Sequence, residues 1–523
     1  MKSYTFATLV FFACFANNAN AITEDSIFKV HYYSLNLNIE SNGYIKGYVD
    51  VHLKSAQLTP SINFEANAKL NIDKVQVNGK KVKFIRKLNY LLIPNKGKYS
   101  YLVVRIYYSG IPKVAINPPW QGGISIAKDN NSKPWLAMSC EADGASTWWP
   151  CIDTWAVEPD SVSLSFNVDS VFTVVSNGQL RSIKNLKNRT EYNYHVSYPV
   201  NLYNITFNIG KYKTHSFEYQ DSLKGNLLDI QVSMVNYKNN ADFEFFRANI
   251  SKMLEAFEYY FGKYPFANDG YKLVEAPYWG MEHQTCVAYG NKKSINKFGF
   301  DYILVHESGH EWWGNAVSGK SRNDLWIHES FTTYSEYLYV KYWSGPQLAN
   351  LYIEQQRNQV FNSLPMVLIN PKLPITFTDN DIYYKGAGLL HQYENLVSDS
   401  VWRNCLIQLQ NKYKYKTVDT DEILNEMQRL TGLSAANFKW YLTHPYLPIL
   451  EWNIEPIGEN EYELSYKWNL SETDGEFDMP VKIVLNGEVG QIIYPNSKQK
   501  TRTHLISEVE PRLDASGYYE INK

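Results

Sequence analysis

The chain has 523 residues, with 51 lysines and arginines against 53 aspartates and glutamates. That length exceeds one ordinary domain and leaves ample core. The balanced charge, with no basic stripe and no acidic tail, gives no footing for a nucleic-acid partner, and 41 tyrosines with 14 tryptophans suit β-rich, aromatic-packed domains.

At the N-terminus, Lys2, an apolar run from Phe6 to Phe15 and Ala19-Asn20-Ala21 follow one another. This is the charge, apolar core and small-x-small order of a secretory signal, and it predicts removal of residues 1–21 and export to a periplasm or the medium. Cys14 raises a lipoprotein alternative, but Phe11-Phe12-Ala13 is a poor lipobox. No later run approaches the roughly 18 apolar residues of a membrane span. Cys140, Cys151, Cys286 and Cys405 remain, too few for a disulfide scaffold. Cys140 and Cys151 are close enough in sequence to bridge in an exported protein, and two buried thiols fit equally well.

From Ile22 to about Gly210 the apolar period is two. Tyr33, Leu35, Leu37 and Ile39 alternate with polar residues, and Ile45, Gly47, Val49, Val51 and Leu53 repeat the pattern. Val75 and Val77 lead into Asn78-Gly79, a type I′ hairpin signal, before Val82 and Phe84. Residues 22–210 therefore read as an all-β saddle or sandwich domain.

From about Lys211 to Leu447 the period changes. Phe246, Ile250, Met253, Leu254, Phe257 and Phe261 share one face of a long helix, which Gly262 and Pro265 end. A strand is expected over Tyr271 to Ala276, then Gly280-Met281-Glu282-His283. Next comes His306-Glu307-Ser308-Gly309-His310, and eighteen residues later Glu329. Residues i and i+4 share a helix face, so His306 and His310 point at one ion. Two imidazoles and the Glu329 carboxylate make a three-ligand zinc site with a fourth position for water. Glu307 projects beside that position, where it takes a proton as general base. H-E-x-x-H also arises by chance. The context argues for function: apolar Ile303, Leu304 and Val305 before it, and a second helical segment from Trp326 through Tyr334, Leu338 and Val340 that returns Glu329 to the ion. Tyr383-Tyr384-Lys385-Gly386-Ala387-Gly388 opens a later helix. Alternation returns from about Glu451, making residues 448–523 a small second β domain.

These motifs together resemble the M1 zinc aminopeptidases, gluzincins with a thermolysin-like catalytic domain, over nearly the whole mature chain. Gly280-Met281-Glu282-His283 looks like the family's G-x-M-E-N motif, and Tyr383-x-Lys385-Gly386-Ala387 resembles the segment carrying a catalytic tyrosine. Cys140-Glu141-Ala142-Asp143-Gly144, with Trp148-Trp149-Pro150 and Asp153, resembles the β-domain segment that reaches the active site. The resemblance implies a thermolysin-like α/β domain over 211–447 and one zinc per chain. It implies that Gly280, Met281 and Glu282 bind substrate, with Glu141 and Glu282 gripping the free N-terminal ammonium of a peptide. It makes Tyr383 the oxyanion donor and Glu336, two turns beyond Glu329, an orienter of a zinc histidine.

His283 and His328 stand where the family usually has asparagine, which puts pH dependence and specificity in doubt. The chain stops after the small β domain, so the helical C-terminal domain of many relatives is expected to be absent and the cleft more open. The implied function is removal of N-terminal residues by metal-activated water, and Tyr278 and Met281 flank the implied side-chain pocket. The alternatives are a zinc endopeptidase, which needs no amine anchors, and a catalytically idle peptide-binding protein on the same fold. Intact Glu307 and Tyr383 argue against the idle protein. The preferred first residue and the oligomeric state are not legible.

Overall fold

The computed structural model describes residues 28–55, 60–95, 101–220, 227–237, 239–368, 380–470, 476–514 and 516–522. The expected signal segment, with Cys14, lies outside them.

The fold is mixed α+β. Alternating apolar residues build an eight-stranded sheet whose order is Gln179–Asn185, Arg189–Val196, Ser161–Asp169, Phe28–Ile39, Ile45–Ser55, Tyr101–Gly110, Asn71–Val77 and Lys80–Val82. Tyr33 pairs with Val51 and Leu35 with Val49, and all four side chains are buried, as one apolar face of a sheet requires. Asn78 and Gly79 close the last hairpin, both with positive φ (47° and 78°), the backbone of a type I′ turn. A four-stranded sheet follows, in the order Thr173–Ser176, Phe207–Gly210, Pro134–Ser139 and Gly123–Lys128. The strand Pro134–Ser139 ends two residues before Glu141.

Beyond residue 210 a five-stranded sheet runs Lys213–Gln220, Leu227–Met234, Tyr271–Glu275, Val287–Tyr289 and Gly280–Met281, the last forming its edge. The described residues include eight α-helices: α1 Asn240–Phe261, α2 Tyr302–Gly309, α3 Leu325–Ser344, α4 Pro346–Arg357, α5 Asp381–Asn395, α6 Asp399–Tyr413, α7 Thr420–Thr431 and α8 Ala435–Thr443. Helix α1 starts at an Asn239/Asp242 capping box and stops at Gly262, whose φ is 88°. The tryptophans after the histidine motif fix the helices that matter. Trp313 stacks 4.2 Å from Phe331 of α3, and Trp312 packs edge-on against Phe257 of α1. Each such ring buries on the order of 200 Å², worth roughly 5 kcal/mol at about 25 cal/mol/Å². That packing holds α2 and α3 in one register. A final set of short strands spans Ile449 to Asn522 in a four-stranded and a three-stranded sheet. Cys140, Cys151, Cys286 and Cys405 are all free, buried thiols, so no bridge joins Cys140 to Cys151.

Candidate active site

Helix α2 is capped by the Asp301 carboxylate, which accepts the Leu304 N–H. It presents His306 on its last turn, with His310 at its C-cap. Helix α3 brings Glu329 across. The His306 Nε2 and His310 Nε2 atoms lie 3.6 and 3.5 Å from Glu329 Oε2. Ligands about 2.0–2.1 Å from a tetrahedral zinc are themselves about 3.3–3.4 Å apart. The remaining contacts aim the rings: His306 Nδ1 donates to Glu336 Oε1 at 2.5 Å, and His310 Nδ1 to the Trp313 carbonyl at 3.0 Å. Both Nε2 atoms are left for an ion. Glu329 Oε2 is buried with no hydrogen-bond partner, a costly state for a carboxylate unless a cation meets it. Burial opposes charge on both imidazoles. Glu329 and Glu336 nevertheless push His306 well above its ordinary value, and Glu329 above all raises His310. The site calls for positive charge, and its residues fit one zinc ion.

Four carboxylates crowd this place. Ligand atoms of Glu141, Glu282 and Glu329 lie within 4.8 Å of one another, as do those of Glu282, Glu307 and His310. Burial, then Glu329, pushes the Glu141 carboxyl up to about 8. Burial, then Glu141, pushes Glu282 well above the usual range. Burial holds Glu307 at about 7 against the pull of the histidines. Gly280 packs against this last residue: a Cβ there would sit 2.3 Å from Glu307 Oε1, so no larger residue fits without moving the carboxylate.

Tyr383 enters from the first turn of α5, its ring 6.1 Å from that of His306. Burial raises its phenol, and so do Glu329, Glu141, Glu282 and Glu307. Neighbouring Tyr384 senses Glu336 instead, so Tyr383 is the tyrosine facing the carboxylates. Its helix comes close because residue 386 is glycine: a Cβ there would fall 1.8 Å from Ser330 Oγ of α3.

Several contacts around the site carried no sequence signal. Tyr203 donates to Glu282 Oε1 at 3.0 Å, and His328 Nδ1 lies 3.4 Å from the same hydroxyl. The Gly319 N–H donates to His328 Nε2 at 2.8 Å, which puts the His328 proton on Nδ1. Trp155 stacks on both rings. Burial pushes His328 down to about 3, so it serves as a neutral spacer behind Glu282. His283 is likewise pushed down to about 3 by burial, and neither of its ring nitrogens has a partner among the described residues. Asn315 donates to the Glu282 carbonyl, and Glu311 accepts the Thr285 N–H at 2.7 Å. Both flank the zinc motif and were within reach of a closer reading of it. Arg322 donates to the carbonyls of Glu141 and Ala142, pinning the Glu141 loop to the start of α3.

The motif G-x-M-E-N has one residue between glycine and methionine, whereas Gly280 directly precedes Met281. With Met281 and Glu282 in register, Gly280 takes the variable position and Trp279 takes that of the leading glycine.

Residues 247–442 match the peptidase family M1 domain. The chain is 23% identical to "Probable aminopeptidase 1" of Sulfurisphaera tokodaii, over 86% of this chain and 58% of that protein. It is 24% identical to mouse "Endoplasmic reticulum aminopeptidase 1" over 56% of this chain and 33% of that one. Across the curated relatives described the chain spans between 33% and 63% of their length. An M1 zinc metallopeptidase from Deinococcus radiodurans shares the fold with a TM-score of 0.69 at 17% identity, covering 83% of this chain and 96% of its own. The matched stretch holds both histidines, Glu307 and Glu329, and the chain as a whole shares its fold with the Deinococcus structure; residues 247–442 are similar to the peptidase family M1 domain.

Proposed function

We propose that the protein is a zinc aminopeptidase that removes N-terminal residues from peptides, with His306, His310 and Glu329 as the metal ligands. What supports this most is the convergence of Glu141 and Glu282 beside Glu329, within 4.8 Å. Desolvated like charges at that distance repel, and an ammonium between them turns the repulsion into attraction. A peptide N-terminus is such a cation, one residue from the bond to be cut. A mutant of the Deinococcus metallopeptidase has been solved with a Tyr-Ser-Ala substrate, which accords with a short peptide here.

Bound zinc supplies a Lewis acid that polarises the scissile carbonyl and acidifies water. Glu307 takes a proton from the attacking water and returns it to the leaving amine. The Tyr383 hydroxyl, protonated at neutral pH, donates to the oxyanion as charge develops. Glu141 and Glu282 hold the ammonium, and the Gly280–Met281 strand holds the peptide backbone. Export follows from the N-terminal sequence, and the mature chain is expected to begin at Ile22, as N-terminal sequencing will read.

Acetylation tests the assignment. It removes the positive charge and adds bulk where the anchors sit, so the enzyme should cleave a free peptide and leave its acetylated form almost untouched. Glu282→Ala and Glu141→Ala should each lower cleavage of the free peptide, with losses that do not add, since both grip one group. Comparable cleavage of capped and free peptides would refute the aminopeptidase reading in favour of an endopeptidase.

A further inference from the structure

The edge strand that holds Gly280 continues outward into a ladder of aromatic rings. Tyr302, at the start of α2, stacks on His306 at 5.5 Å and 29°. Trp279 lies 5.7 Å from Tyr302, and Trp120 lies 6.3 Å from Trp279. The outer two are open to solvent: Trp279 is 45% exposed and Trp120 54%. Neither is loose. Trp279 Nε1 donates to Asn291 Oδ1 at 3.1 Å, and its carbonyl accepts the Gly290 N–H at 2.8 Å. Trp120 sits in a tight loop closed by the Gln121 N–H on the Asn117 carbonyl. That loop leads into the strand Gly123–Lys128, which pairs with the strand ending at Ser139, just before Glu141.

The direction of a bound peptide follows from these positions and from the proposed anchoring role of Glu282, on which this inference rests. The N-terminus is held at Glu282, and the bond to be cut lies beside Glu307, against which Gly280 packs. A peptide along the free edge of Gly280–Met281 therefore runs opposite to the strand, with its later residues moving past Gly280 toward Trp279. Three residues of strand span about 10 Å, so the second and third substrate residues arrive at Trp279 and Trp120. The side chain of a residue paired across an antiparallel edge lies on the same face as its partner.

We propose that Trp120 and Trp279 form an extended subsite for apolar, above all aromatic, side chains at the second and third positions of the substrate peptide. Two half-exposed rings beside an edge strand that must take a peptide leave an apolar surface open on their solvent side, and the downstream substrate covers it. Trp279 also takes a position where the family motif has glycine, so the shelf is a property of this chain.

The test uses the zinc-loaded enzyme and the peptides Leu-Gly-Gly-Gly, Leu-Phe-Gly-Gly and Leu-Gly-Phe-Gly. The parent should favour one or both phenylalanine peptides over the triglycine tail by roughly fivefold to tenfold in kcat/KM, as expected for one added aromatic contact, mostly through KM. Trp120→Ala and Trp279→Ala should each shrink that ratio to about twofold or less, and Trp120→Phe should restore most of it. The ratio within one enzyme cancels any general loss from the substitution, and Trp120, on the surface, keeps the test intact if Trp279→Ala fails to fold. Equal rates for the three peptides in the parent, or an undiminished ratio in Trp120→Ala, overturn the subsite while leaving the aminopeptidase reading standing. If leucine arylamide and all three peptides go uncleaved, the aminopeptidase reading falls and the subsite with it.

Discussion

Replacing Glu336 by glutamine probes how the metal histidine is held. Three donors meet this one fully buried carboxylate: His306 Nδ1 at Oε1, and the Tyr352 hydroxyl and Gln356 Nε2 at Oε2. An amide has one acceptor oxygen and one amino group. If its oxygen faces Tyr352 and Gln356, its amino group meets His306 Nδ1. The imidazole must then accept there and carry its proton on Nε2, the atom that should bind metal. If its oxygen faces His306, the Gln356 amino group meets another amino group. With Nε2 on the metal, Nδ1 must keep its proton, so one buried donor is then orphaned in either orientation, a cost of about 1–3 kcal/mol. Loss of such a metal-orienting partner typically weakens metal binding 10- to 100-fold, or about 1.4–2.7 kcal/mol, which agrees. Zinc affinity is measured by competition with a chromogenic chelator on the parent and on Glu336→Gln, with circular dichroism to check the fold. An affinity within twofold of the parent in a folded variant refutes the reasoning, and Glu336 then only fills space.

Three other substitutions separate the roles at the centre. Glu307→Ala should keep its zinc and lose turnover by ~10²–10⁴-fold; parental rates on an arylamide would exclude Glu307 as the base. Tyr383→Phe should lower kcat by roughly a hundredfold or more with little change in KM, because its hydroxyl meets charge only in the transition state; the same loss from Tyr384→Phe would put the register off by one. Glu158, which is not among the metal-site carboxylates, has its carboxyl pushed up to about 7 by burial from an ordinary 4.5. The folded state keeps that proton where the unfolded chain has released it, so the group's stabilisation is full below about 4.5 and lost as pH rises to about 7. The Tm of Glu158→Gln relative to the parent should therefore rise between pH 4.5 and 7.5; a difference that stays flat excludes the shift.

What was legible in the sequence is what depends on spacing along the chain. His306 and His310 share a turn, Gly262 ends α1, and Asn78-Gly79 closes a hairpin, each through backbone geometry a few residues wide. Glu141 is different. It comes from the end of a strand in another sheet, and residue chemistry alone leaves it as an acidic loop residue; only a resemblance pointed to it. Tyr203 and Trp155 were invisible for the same reason. Their contacts with Glu282 and His328 exist only once two sheets meet α3, and nothing about a tyrosine in an alternating stretch announces its partner. His328 carried a signal that pointed elsewhere: a histidine beside a metal ligand suggests a proton switch, but burial holds it neutral, with the Gly319 N–H on Nε2 and Trp155 stacked on its ring.

The clustered carboxylates explain why so much of the surrounding structure is rigid. Glu141, Glu282, Glu307 and Glu329 are held close together and shielded from solvent, and they raise one another's cost of carrying charge. A fold selected for stability alone would scatter them or pair each with a lysine. Here none of the fixing contacts puts a cation between the carboxylates: Arg322 grips backbone carbonyls beside Glu141, Asn315 grips the Glu282 carbonyl, and Tyr203 takes one Glu282 oxygen. Two positive charges are missing from that space. One belongs at the point shared by His306, His310 and Glu329, where an orphaned oxygen waits. The other belongs between Glu141 and Glu282. On the proposed function, an ion would supply the first and stay, whereas a substrate ammonium would supply the second only while bound. In the proposed reaction, the repulsion that strains the free protein would favour the substrate that relieves it, and the distance between the two missing charges would fix how far from its N-terminus a peptide is cut.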